Sequence, residues 1–533
     1  MKPSRYWLLF CLGLLVAVGI AALQDVPGYM DADYYFYGGV RLADGYGFTE
    51  MILWNYLDDP TGLPHPSHTY WMPLTSIVAA IGLTLFRFLG DFSAAQVGFI
   101  LIFALVPPLT AALCMRLTQQ ERKATYAGVL SLFSGYFLPV STTTETFGLY
   151  MLLGGIFFLL LQKEPRRIFL GLGLISGLMH LTRSDGILWL LVAGVVWLFD
   201  MKNKGRDVKI GLGDLFSRRR LLLAGELLFG YFVVMALWYL RNMRFFGAIF
   251  PPGGTQTLWL LDYDELFSYP PGLLTFERWW SSGLGEILKV RAQVLWLNLQ
   301  SGFAVQGLIV LGPVALIGAW KKRKEKVIRV GWAAWLLLLG VMTVLFPYAG
   351  FRGGFFHSGA AFMPIIWALV PVGLDVLSHW TVRRFNWEVR KISPFFHGVL
   401  AFFVFLFSIF LVSMKLYGIG PSSEADWGVD IQSYQVLEEH LRTIGASPND
   451  IVLVGNPPRY ALVNDRPAIV IPNGDVETLI MVIKLYKPRY VLLGKNHPQS
   501  LAGLYEQPKD QLVLSYLETV VDTHIFIVDE GVP

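Results

Sequence analysis

The sequence predicts a polytopic α-helical membrane protein carrying a small α/β domain at its C-terminal end, and three observations predict it. Of 533 residues, 54% are hydrophobic and 15% charged, too apolar a balance for a water-soluble chain of this length. About eleven apolar segments of spanning character recur along residues 1–423. From about residue 424 the composition turns to that of a soluble domain with short strand-like runs.

The apolar segments run at roughly 6–23, 95–115, 124–140, 146–162, 168–182, 186–199, 222–243, 303–320, 330–348, 357–379 and 394–416. The first follows a basic start in the manner of a signal peptide, but it is long enough to span and a membrane domain follows, so a retained first helix is expected. The N-terminus and the loops at 116–123, 163–167, 200–220, 321–329 and 380–393 hold 25 of the 43 lysines and arginines. Basic residues stay on the cytoplasmic side. That orients the chain in a cell (plasma or inner) membrane with its N-terminus cytoplasmic and its C-terminal domain exterior or periplasmic. The run 73–86 would invert this pattern if it crossed, so an exterior juxtamembrane helix, or one that dips in and returns, is expected there. A competing count makes 73–86 a span and merges 168–199 into one helix.

Two long loops, 24–72 and 244–302, then face outward, and the first carries seven acidic residues against one basic residue, Arg41. Residues 424–533 contain the apolar runs 451–454, 468–471, 489–493 and 524–528, which read as strands of an exterior α/β domain. The net charge of +4 is not gathered into a basic stripe, which excludes a nucleic-acid partner. Cys11 and Cys114 lie inside apolar runs as small hydrophobes and imply no disulfide. Walker A and strand-borne G-x-G-x-x-G sequences are absent, which argues against ATP as a co-substrate.

Chemistry is concentrated at the outer ends of the spans. Asp31 and Asp33, just beyond the first helix, are two carboxylates at i and i+2 that can share a metal or divide base and orienting roles; the bland alternative is an ordinary solvated acidic loop. Arg183, Arg241 and Arg352 can each grip a phosphate in a bidentate fork or snorkel to lipid headgroups. Glu145 lies in a polar turn, where capping the next helix competes with a role in a site. His68 and His180 lack metal-ligand spacing, so no zinc site is expected.

The stretch PGYMDADYYFYGGVRLADGYGF, with Asp31 after the first helix, then aromatic residues and G-x-G-F, resembles the first exterior loop of GT-C glycosyltransferases, among them protein O-mannosyltransferases and the lipid A aminoarabinose transferase. His68-Thr-Tyr-Trp-Met-Pro73-Leu74 is similar to the proline-leucine start of that group's juxtamembrane helix. Thr144-Glu145, Gly177-Leu-Met-His-Leu-Thr182-Arg183, Trp238-Tyr-Leu-Arg241-Asn242 with Phe246-Gly247, and Arg352 before a proline-containing span are similar to further patterns. The resemblance covers the whole chain in order, through short motifs.

It implies a GT-C-like membrane domain over 1–423 and transfer of one hexosyl or pentosyl unit from a polyprenyl-phosphate donor to an acceptor hydroxyl on a lipid, glycan or protein. Asp31, and after it Asp33, would act on the acceptor as base or through a divalent cation, Mg or Mn. Arg352, Arg241 and Arg183 would meet the leaving phosphate, with His68 and Glu145 also binding substrate. The tryptophan-tryptophan-aspartate sequence of oligosaccharyltransferases is missing, which argues against en bloc transfer to asparagine. Trp71-Met72-Pro73-Leu74 also departs from the K-P-P-L or H-P-P-L form, leaving the donor open. The rival reading is a transporter or flippase of a lipid-linked glycan precursor. Transporters place ionisable groups near the midplane and repeat their halves; this sequence does neither.

Overall fold

The computed structural model describes residues 1–162, 168–199, 217–386, 388–419 and 427–529. The basic loop expected at 163–167, most of that at 200–220 and the domain boundary near 424 lie outside the described residues. Apolar runs fold here as helices because in hydrocarbon every backbone polar group must be satisfied within the segment. Among the described residues, six are long and apolar enough to cross a membrane: Pro3–Ala21 (α1), Asp91–Thr118, Arg218–Phe246, Lys326–Val344, Pro347–Phe385 and Ile392–Tyr417. Four shorter apolar helices accompany them, and the pair Leu284–Gln306 and Leu311–Lys321 bends through 93°. The chain is a multi-pass membrane protein.

After α1 come α2 (Met30–Ala43), α3 (Leu74–Phe86) and α4 (Asp91–Thr118). Gly82 abuts Ala94 and Gly98 abuts Val78, so α3 runs antiparallel to the start of α4, leaving Ile81 and Leu85 exposed. The segment 124–140 is α-helical only over Glu121–Leu132 (α5). Next stand α6 (Thr146–Leu161), α7 (Ile168–Thr182), α8 (Ile187–Phe199) and α9 (Arg218–Phe246). Between α7 and α8 a Cβ at Gly186 would strike the carbonyl of Met179. A continuous helix would set residues seven apart about 10.5 Å apart along its axis, so the chain doubles back here and the merged helix of the competing count does not form.

Further helices include α10 (Leu284–Ser301), α11 (Leu311–Lys321), α12 (Lys326–Val344), the short α13 (Phe355–Gly359), α14 (Met363–Phe385) and α15 (Val389–Tyr417). Glycines let several helices touch backbone to backbone, as helices packed in lipid do. A Cβ on Gly173 of α7 would strike the carbonyl of Leu227 in α9, and one on Gly373 of α14 that of Val314 in α11. Replacing Gly173 by valine is expected to cost ~1–3 kcal/mol by overpacking, read as a lowered thermal midpoint of the detergent-solubilised protein. An unchanged midpoint would mean that α7 and α9 do not meet as described.

The C-terminal residues form a sheet whose three central strands, β4 (Val452–Val454), β5 (Ala468–Val470) and β6 (Tyr490–Leu493), are parallel and wholly buried, as apolar runs covered on both faces require. Helices α16 (Ile431–Thr443), α17 (Pro457–Asn464) and α18 (Val476–Tyr486) belong to this unit, and an antiparallel pair, β7 (Leu514–Val520) and β8 (Thr523–Val528), extends it beyond β6. The first outer loop holds a small ladder, β1 (Thr49–Glu50) against β3 (His65–Pro66). Between them, β2 (Ile52–Leu53) adds parallel to β5, pairing Ile52 with Ala468 and Leu53 with Ile469. Tyr56 donates to the Val470 carbonyl and Tyr486 to that of Pro60, each at 2.5 Å. The loop and the C-terminal sheet therefore share one hydrophobic core, with Leu53 and Tyr56 packed among Leu453, Ile469 and Leu479.

Candidate functional site

The site is assembled by a run of threonines. The turn before α6 reads Ser-Thr-Thr-Thr-Glu-Thr (141–146), and the buried hydroxyls of Thr142, Thr143 and Thr144, which could compete with helix bonding, reach across to the first outer loop instead. Thr142 donates to Gln24 Oε1 (3.0 Å), Thr143 to the Pro27 carbonyl (2.8 Å) and Thr144 to the Ala32 carbonyl (2.8 Å). These bonds lay the turn beside the N-terminus of α2. Glu145 accepts from the Thr146 N–H (2.6 Å) and from the Tyr29 hydroxyl (3.2 Å), so it caps α6 and also faces Asp31.

Asp31 and Asp33 both fall in the first turn of α2, where carboxylates suit the positive end of the helix dipole. Residues two apart on a helix are rotated by about 200°, so the two point away from each other and do not share a site. Asp31 looks toward Glu145. Asp33 instead accepts from Arg459 of α17 at 2.9 Å (Nε) and lies 2.8 Å from its Nη2.

His357 completes the cluster. It sits on α13, just after an irregular stretch in which Gly353 takes φ 137°, a conformation open to glycine. Its imidazole stacks on Phe147 at 4.2 Å between ring centroids. One nitrogen is turned to each carboxylate, Nδ1 lying 3.6 Å from Glu145 and Nε2 4.0 Å from Asp31. Thr146 Oγ1 is 3.3 Å from Nδ1.

The Asp31 side chain keeps 32% of its surface open whereas Glu145 keeps 0%, so only Asp31 can meet a substrate directly. Burial in this recess pushes the Asp31 carboxyl up to about 6, with the charge of Glu145 adding to the effect and His357 and Arg183 opposing it. Burial would also raise Glu145, but His357 and the Thr146 N–H outweigh it and hold the group below the usual carboxylate range. The two carboxylates are thus driven apart, a pattern that marks divided roles.

Of the predicted arginines, Arg183 bears on this cluster directly and Arg352 stands beside a tyrosine that senses it. Arg183 pairs with Asp185 at 2.9 Å and its charge reaches Asp31. The exposed Arg352, five residues before His357, lies 4.9 Å from the ring of Tyr263, a tyrosine that feels the charges of both Asp31 and Arg352. The other two predicted residues are engaged elsewhere. Arg241 donates to the carbonyls of Ser67 (2.6 Å) and Phe48 (3.3 Å), tying the outer loop to α9. His68 is held between Ser67 and Ser76 at 2.7 and 2.9 Å, and burial with the nearby Arg241 charge pushes it down to about 3, so it is a neutral structural histidine.

Sequence reasoning missed His357. The available signal was an ionisable residue at the head of the apolar segment 357–379, a position that is by default worth a functional hypothesis. Two carboxylates and an imidazole with ligand atoms within 4.8 Å of one another are a donor set that fits a divalent cation. A nitrogen ligand beside two oxygens suits manganese or zinc better than magnesium. Binding would draw both carboxylates to one point and use a single imidazole nitrogen.

This arrangement of helices, loop and C-terminal sheet is a GT-C-like fold. Among solved structures, the chain is similar to ArnT from Cupriavidus metallidurans in the apo state (TM-score 0.55, 12% identity, 100% of this chain and 99% of that one) and bound to undecaprenyl phosphate (TM-score 0.53, 12% identity, the same coverage). It is also similar to the Archaeoglobus fulgidus oligosaccharyltransferase complex with Zn and sulfate (TM-score 0.53, 13% identity), spanning 91% of this chain and 67% of that one. At these identities the likeness is one of fold. The sequence matches no protein-family model and no curated protein.

Proposed function

We propose that the protein moves one sugar from a polyprenyl-phosphate donor to an acceptor hydroxyl at the exterior face of the membrane, with Asp31 as the proton acceptor. The observation that carries this reading is the convergence of a reachable carboxylate, Asp31, with Glu145, His357 and the charge of Arg183. The acceptor oxygen attacks the anomeric carbon while its proton passes to Asp31, and the bond from that carbon to the lipid phosphate breaks with the electron pair leaving on the phosphate. A single displacement inverts the anomeric centre. Arg352 and Arg183 counter the charge that grows on the departing phosphate. A divalent cation, when held by Asp31, Glu145 and His357, supplies positive charge for orienting the acceptor oxygen.

An apolar cavity of about 310 Å³ between α10, α11, α12 and α14, lined by Phe303, Leu316, Trp332, Trp335 and Ile366 among others, suits the isoprenoid tail. Its polar member, Gln306, accepts from Trp335 Nε1 (2.9 Å) and donates to the Phe355 carbonyl (3.4 Å), two residues from His357. The acceptor belongs to a lipid, glycan or protein. In this reading about eleven crossings put the N-terminus in the cytoplasm and residues 424–533 outside a plasma or inner membrane. Asp33 acts as an anchor for the C-terminal sheet, while Arg241 and His68 fix the loop.

Purified protein supplied with polyprenyl-phosphate sugars and candidate acceptors should release polyprenyl phosphate in step with a new glycosidic bond. Movement of an intact lipid-linked glycan across proteoliposomes without bond cleavage would replace the transferase by a flippase. Within that assay, Arg352→Ala should act mainly on kcat, because the phosphate gains charge as the bond breaks. Loss of one charge-assisted contact is worth ~1.5–3 kcal/mol, or about 10- to 100-fold in rate. A change confined to KM would assign Arg352 to ground-state binding instead.

A further inference from the structure

His357 is borne on five helical residues that follow an irregular glycine stretch, so the adjoining chain on that side cannot by itself fix the imidazole. Beside the stacking on Phe147, the neighbouring residue supplies a second constraint. Ser358, 1% exposed, donates its hydroxyl to Asp185 Oδ2, while the other oxygen of Asp185 accepts from Arg183 Nε at 2.9 Å. Asp185 lies in the turn between α7 and α8, which Gly186 packs tightly against the end of α7. One carboxylate therefore joins a rigid turn to the segment carrying His357, on a separate element from Glu145, Thr146 and Phe147. It also partly offsets the Arg183 charge, which bears on Asp31 and Glu145.

We infer that Asp185 is a positioning residue for the Asp31–Glu145–His357 cluster, setting its affinity for a divalent cation by clamping His357 through Ser358 and by offsetting part of the Arg183 charge that bears on the two carboxylates. The inference rests on the cation-binding part of the proposed function, and residues behind metal ligands are known to govern affinity strongly. A merely structural role for Asp185 would lower stability without moving cation affinity in the folded protein.

The test is titration of Mn²⁺ into the full-length, detergent-solubilised protein, with free Mn²⁺ read by electron paramagnetic resonance. Wild type should bind with an affinity that Asp185→Asn weakens by ~10- to 100-fold. Ser358→Ala, which removes the clamp but keeps the Arg183–Asp185 pair, should weaken it less, and Ser358→Thr should restore it. Ser358→Ala also carries the test if Asp185→Asn does not fold. Wild-type binding with both folded variants equally tight overturns the inference and leaves the cation reading standing. Absence of Mn²⁺ binding by wild type overturns both.

Discussion

Asp31→Asn should abolish sugar transfer while leaving donor binding intact. The amide keeps the size and shape of the side chain but takes no proton, and removal of a positioned general base costs ~10²–10⁴-fold in rate. The phosphate contacts at Arg352 and Arg183 are untouched, so binding of a polyprenyl-phosphate sugar, followed by displacement of a labelled lipid, should persist. Glu145 cannot substitute, since its side chain is closed to the recess and held by Tyr29 and the Thr146 N–H. Full turnover in the variant would remove Asp31 from the chemistry and leave the cluster as a structural tie.

The second large effect is expected at Arg459. This side chain, 5% exposed, meets Asp33, 3% exposed, and also donates to the Val429 carbonyl. Arg459→Ala leaves a buried carboxylate without its partner, a loss worth ~3–5 kcal/mol, and should loosen the C-terminal sheet from α2 and expose it to proteolysis. Burial nevertheless pushes the Asp33 carboxyl up to about 7 against the pull of Arg459, from 3.8 in the unfolded chain. The folded state therefore binds this proton more tightly than the unfolded one. The group's contribution to stability is full at low pH and is lost as the pH rises from about 4 through 7. Docking should be firmer at pH 5 than at pH 8, the cost of Arg459→Ala should be smaller at pH 5, and Asp33→Asn should flatten the slope. Thermal midpoints at the two pH values check each point; a slope of the opposite sign would mean that the ion pair outweighs burial.

What could be read in one dimension was whatever depends on near neighbours in the chain. Apolar runs, turn residues and the strand-like segments at 451–454, 468–471, 489–493 and 524–528 identify helices and strands because hydrophobic burial and backbone hydrogen bonding act over a few residues. Asp31, Glu145 and Arg352 were visible as polar side chains at the edges of apolar segments. The spacing of Asp31 and Asp33 misled as soon as a helix formed, since a helical turn sends the two carboxylates in opposite directions.

Hydropathy and composition alone determined that this chain must enter a membrane, and roughly where. Only the tertiary structure decided that His357 stands between Asp31 and Glu145, that Asp33 belongs to Arg459, and that residues 52–53 complete a sheet begun beyond residue 450. Each of these depends on contacts between segments far apart in sequence. Such contacts are selected by the joint packing of many side chains and by the need to pair every buried charge, and neither leaves a local signature.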